Sequence, residues 1–146
     1  MNIKNLIKNI AIPLIVGIIV GIIMMPFNDY ANLNQPAFAP PGALFPIAWT
    51  ILYILMGISA YIISERNGRL NLYYIQLGVN ALWSIIFFVL ELRLLAFIWI
   101  ILLIVLVVKM IRQFMIINKT AGYLQIPYLI WLIFAAYLNL GVYLLN

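Results

Sequence analysis

Five long apolar runs, parted by short polar breaks, leave this chain almost no choice of environment. Only 8% of its 146 residues are charged and 68% are hydrophobic, whereas soluble domains carry about 25% charge. An apolar run of about 20 residues crosses a bilayer as a helix, because a helix satisfies every backbone N–H and C=O within the segment. The predicted fold is an all-α membrane protein, a five-transmembrane-helix bundle forming one domain over residues 1–146. The spans fall at about 6–25, 44–64, 73–90, 94–117 and 125–145. Glu91, Leu92 and Arg93 leave so short a turn that spans three and four must form an antiparallel hairpin.

An odd number of spans puts the termini on opposite faces. Lys4, Lys8, Arg66, Arg69, Lys109, Arg112 and Lys119 then share the N-terminal face, and Arg93 stands alone on the other. The positive-inside rule makes that first face cytoplasmic and sends the Pro-rich loop, residues 28–43, outside. The net charge of +5 is thus topological, and no nucleic-acid partner is expected. The first run could be read as a cleaved signal, but it is too long and no small-x-small site follows. Within it, Gly17 and Gly21 form a GxxxG pair, which lets backbones approach closely. Packing inside the protein's own bundle is the preferred reading of that pair, and a dimer face is the other.

The residues present also limit the chemistry. There is no Cys and no His, which removes disulfides, thiolate metal sites, the commonest general base and the usual haem ligand. Asp29, Glu65 and Glu91 sit singly at loops or span ends, so no paired-carboxylate site forms, and Glu91 has Arg93 beside it for a surface ion pair. No Gly-rich phosphate loop occurs. No catalytic residue and no metal site are predicted, and binding is favoured over catalysis.

The stretch QPAFAPPGALFPIAWTILYILMGISA, Gln35 to Ala60, carries the strongest local signal. Pro36, Pro40 and Pro41 stiffen the loop, Gly42 allows a sharp entry, and Pro46 is tolerable only in a first helical turn. The helix that follows sets Trp49, Tyr53 and Met56 on one face, since positions i, i+4 and i+7 align. Span three does the same with Asn80, Trp83, Ser84 and Phe87, and span five with Trp131, Ala135, Leu138 and Asn139. Such rows could enclose one aromatic cavity capped by the loop. Belting at the membrane surface explains Trp99 and Tyr143 well, but explains in-span amides poorly. Interhelical bonding is favoured for Asn139. For Asn80, interhelical bonding and ligand contact remain equal readings.

With these motifs assembled, the chain resembles the tryptophan-rich sensory protein family, also called the translocator protein or peripheral benzodiazepine receptor family. The likeness rests on PPG at Pro40 to Gly42 and FPIAWTILYILMG from Phe45 to Gly57. It extends through QLxxNxxWSxxFF from Gln76 to Phe88 and PYLIWLIFAAYLN from Pro127 to Asn139. The resemblance implies five helices around a pocket below the first loop, in the plasma membrane of a bacterial-type member, and a homodimer. It implies binding of porphyrins (protoporphyrin IX, haem) and of isoquinoline carboxamide or benzodiazepine ligands, with no required cofactor. It also raises light-dependent porphyrin breakdown, and tetrapyrrole or lipid transport, as rival activities. Carried over, the ligand residues would be Tyr30, Ala43, Trp49, Tyr53, Asn80, Trp83, Ser84, Phe87, Trp131, Ala135 and Leu138. The loop departs from the family pattern: Gln35 stands where Lys is usual, and Phe38 and Ala43 where Trp is usual. The tail LGVYLLN lacks the basic residue of the animal sterol-recognition pattern, so specific cholesterol binding is not expected.

Overall fold

The computed structural model describes all 146 residues, and five of its helical stretches are long and apolar enough to span a bilayer. Helix α1 is Ile3–Met24, α2 Leu44–Glu65, α3 Asn71–Ser84, α4 Arg93–Ile117, α5 Lys119–Leu124 and α6 Ile126–Leu145. They close into a ring: α1 packs on α2, α2 on α5, α5 and α6 on α4, α4 on α3, and α3 returns to α1. This is the expected all-α membrane bundle.

Local chemistry sets the breaks. Asn2 caps α1, its side chain accepting from the Asn5 N–H at 3.1 Å. Pro13 lies inside α1 and has no N–H, so the Asn9 carbonyl four residues back lacks its usual partner. That carbonyl lies against Gly57 of α2, where a Cβ would collide with it and with the Ile10 backbone. The fifth span is the single helix α6, and the connection before it folds into the short helix α5. Asn118 caps α5, and Pro127 in the first turn of α6 forces a fresh start there. Helix α3 ends in a wider π turn, Ile85–Val89, in which the Leu90 N–H reaches back five residues to the Ile85 carbonyl at 3.0 Å. Glu91 then takes a left-handed φ of 55° to close the hairpin onto α4. Arg93 pairs across to Asp29 at 3.4 Å, not with Glu91 beside it.

Packing divides the bundle along its length. The half away from the Pro-rich loop is solid: Met56, Ala60, Ile63, Val107, Met110 and Phe114 are completely buried. Buried Ser59 donates from Oγ to the Ala121 carbonyl at 2.7 Å and ties α2 to α5 there. The loop half is hollow.

Candidate functional site

The hollow is a cavity of about 340 Å³, within the few-hundred-Å³ range of small-molecule sites. Helix α2 contributes Trp49 and Tyr53, stacked with ring centres 5.4 Å apart. Helix α3 and its π turn contribute Trp83, Ser84 and Phe87, and the Trp83 and Phe87 rings stack at 5.4 Å. Helix α6 contributes Trp131, Ala135 and Leu138. Trp49 and Trp131 meet edge to face at 6.4 Å, so two of the rows face each other across the same space. Tyr30 closes the loop side, with its ring 5.0 Å from Phe45, which in turn meets Trp131 at 5.9 Å. Such edge-on pairs each add about 0.5–1.5 kcal/mol beyond the area they bury.

Two predicted residues lie elsewhere. Ala43 is exposed on the outside of the loop–helix junction, and Gly42 and Phe45 border the cavity in its place. Helix α2 starts at Leu44, and its first turn carries Ala43 off the inner face. Asn80 is buried beneath the cavity instead of lining it. Its Oδ1 accepts from the Tyr53 hydroxyl at 3.1 Å, and its Nδ2 donates to the Tyr128 hydroxyl at 2.7 Å. The Tyr128 hydroxyl in turn donates to Gln76 Oε1 at 2.8 Å. This relay joins α2, α3 and α6 under the cavity and occupies both ends of the Asn80 amide. Asn139 bonds between helices too, accepting from Trp83 Nε1 at 3.0 Å and donating to the Arg93 carbonyl at 2.8 Å, and it also borders the cavity. Met56, the third member of the α2 row, belongs to the solid core.

The wall formed by α1 has no counterpart in the predicted site. Leu14, Gly17, Gly21 and Met24 line it. The GxxxG pair therefore faces its own bundle. Gly17 admits the Tyr53 ring so closely that a Cβ there would overlap it. Beside Gly21 there is open space, bordered by Ile18 of α1 and by exposed Pro46 and Thr50 of α2. The seam between α1 and α2 is thus shut at Gly57 and Gly17 and open above them, at the depth of the cavity.

The roof is held at several points. Tyr30 donates from its hydroxyl to the Pro40 carbonyl at 3.2 Å, and Gln35 Nε2 donates to the Tyr30 carbonyl at 2.7 Å. Burial pushes the Tyr30 hydroxyl above the ordinary tyrosine pKa, so it stays protonated and can donate. Asn34 and Asn146 exchange reciprocal bonds: the Asn34 N–H donates to Asn146 Oδ1 at 3.1 Å, and Asn146 Nδ2 donates to the Asn34 carbonyl at 2.8 Å. The Tyr137 hydroxyl donates to the Ala37 carbonyl at 2.6 Å, and Pro36 nests against Gly141, where a Cβ would not fit. The loop is therefore clasped to α6 and, through Asp29, to the start of α4. The Asn80 amide is satisfied by its neighbours, but Gln76 Nε2 below the cavity and Trp131 Nε1 in its wall are buried without a partner. The contact surface is therefore aromatic faces and aliphatic edges with an unpaired indole N–H among them.

Comparison with known proteins agrees with this architecture. A sequence profile described as the TspO/MBR family matches residues 9–145. The chain is 39% identical to the tryptophan-rich protein TspO of Archaeoglobus fulgidus over 154 aligned positions, covering 100% of this chain and 99% of that protein. It is 35% identical to the tryptophan-rich sensory protein of Cereibacter sphaeroides, over 85% of this chain and 80% of that one. With the translocator protein of Ovis aries it shares 32% identity, over 77% of this chain and 72% of the relative.

Proposed function

The chain belongs to the TspO/MBR family, and from that premise we propose that it is an integral membrane binding and sensing protein for flat hydrophobic molecules, porphyrins such as protoporphyrin IX and haem among them. The observation that carries this reading is the convergence of Trp49, Tyr53, Trp83, Phe87 and Trp131 on one cavity under a clasped loop. A planar π-system gains from stacking and from burial of its faces, and those are what this surface offers. At about 340 Å³ the enclosed volume is small for a macrocycle, but the open seam beside Gly21 gives one ring edge room to extend. Isoquinoline carboxamide and benzodiazepine ligands fit the same description. Haem would be held by its ring face or through weaker Tyr or Met ligation, because the sequence has no His or Cys to ligate its iron. The reading includes a homodimer in the plasma membrane, with the N-terminus cytoplasmic and the loop outside, an orientation that the basic-residue count supports.

Titration of the purified protein with protoporphyrin IX is expected to quench tryptophan fluorescence saturably. Trp49→Phe with Trp131→Phe is expected to weaken binding at least tenfold. Unchanged affinity in that double variant would reject the cavity as the binding site.

A further inference from the structure

We propose that Arg93 is the counter-charge for a carboxylate carried at one edge of the cavity's ligand, so that the site prefers acidic flat molecules over their neutral esters. This rests on the reading of the cavity as a site for flat apolar ligands, and adds the polar group that selects among them.

Arg93 is the one cation at the loop end of the bundle, and residues 28–43 contain no Lys or Arg. Its side chain is only 13% exposed. The guanidinium lies 5.1 Å from the centre of the Phe87 ring, and Phe87 is itself part of the cavity wall. The Arg93 backbone is fixed from the same side by Asn139, another residue of that wall. The charge therefore stands one aromatic ring behind the cavity.

Its hydrogen bonding is incomplete. Arginine has five donors in a fork that matches a carboxylate in bidentate fashion. Here Nη2 reaches Asp29 Oδ1 at 3.4 Å, longer than the ~2.7–2.9 Å of a good charge-assisted bond. Nε is buried and has no partner at all. A buried cation with unfilled donors is costly. Arg93 lines a shallow groove that adjoins the cavity at Val142, which both share, and a carboxylate arm reaching into that groove would meet the guanidinium in place of Asp29. Asp29 is the group that would yield. It follows Asn28, which lines the cavity rim, and its side chain is 36% exposed, so it can turn into water. Glu91, the other acid at this end, is exposed and forms no ion pair.

The test compares protoporphyrin IX with its dimethyl ester on the full-length protein, read by tryptophan quenching. The wild type is expected to bind the acid about tenfold more tightly than the ester. Arg93→Gln should weaken the acid by about that factor and leave the ester unchanged, Arg93→Lys should recover part of the loss, and Asp29→Asn should strengthen acid binding. Equal wild-type affinity for acid and ester overturns the proposal without any variant. So does an Arg93→Gln that weakens both equally, which would make Arg93 a packing residue. If neither porphyrin binds the wild type, the flat-ligand reading fails first and this proposal falls with it.

Discussion

Gly57 and Gly78 are both helical glycines, and a single methyl group should have opposite effects on them. A Cβ on Gly57 meets the backbone of Ile10 and the carbonyl of Asn9, neither of which can rotate away. A Cβ on Gly78 meets nothing. Gly57→Ala is expected to destabilise the protein by about 2–3 kcal/mol, in the upper range for overpacking. Gly78→Ala should be neutral or stabilising by up to about 1 kcal/mol, from helix propensity alone. Thermal unfolding in detergent distinguishes the two. At this scale the sequence was legible where side chains were large. Trp49, Trp83, Phe87 and Trp131 announce themselves by size and by spacing along a helix. Asn80 did not reveal its place, because an amide inside a span fits a ligand contact and an interhelical bond equally well. Only the positions of the Tyr53 and Tyr128 hydroxyls on either side of it separate the two. Ala43 failed as a cavity residue because one helical turn decides which way it faces, and nothing in its own chemistry marks the choice.

Among the elements, α1 is the least legible. It is almost uniformly aliphatic, and most of its large residues, Ile15, Ile18, Ile19 and Ile22 among them, are exposed. Its wall of the cavity is made by Leu14, Gly17, Gly21 and Met24, and the GxxxG spacing points to packing in the bundle but not to a cavity beside it. The π turn of α3 was also invisible, since Ile85–Val89 reads as ordinary helix and only its backbone bonds widen. Pro127 marked the start of α6 correctly, whereas the short helix α5 before it, capped by Asn118, lies in a stretch that reads as a connection. The loop yields the prediction proper to this scale. Its attachment to α6 depends on the Asn34–Asn146 exchange and on Tyr137. Asn34→Ala with Asn146→Ala is expected to raise amide hydrogen exchange across residues 30–41 at least tenfold while leaving α2 and α4 unchanged. If the loop stays equally protected, Tyr137 and the Pro36–Gly141 contact suffice to hold it.

Seen whole, the molecule is a sealed half joined to an open half, and the five apolar runs were enough to predict the bundle but not this division. The division comes from which residues fill the centre: aliphatics and Met at one end, and mutually bracing aromatics that cannot fill the space at the other. The roof over the open half is clasped, whereas its side is not. Gly21→Phe is therefore expected to slow ligand association several-fold in stopped-flow quenching. A disulfide joining Asn34→Cys to Asn146→Cys, in a chain with no other thiol, should leave the association rate unchanged. The reverse pattern would make the roof the door.

The gap beside Gly21 opens between two helices long and apolar enough to cross a bilayer, so in a membrane it would face acyl tails and not water. A guest arriving there has already dissolved in oil. Its concentration at the threshold is set by partitioning, so two compounds of equal affinity should differ in speed of capture according to their greasiness, and a lipid tail is the competitor each must first push aside.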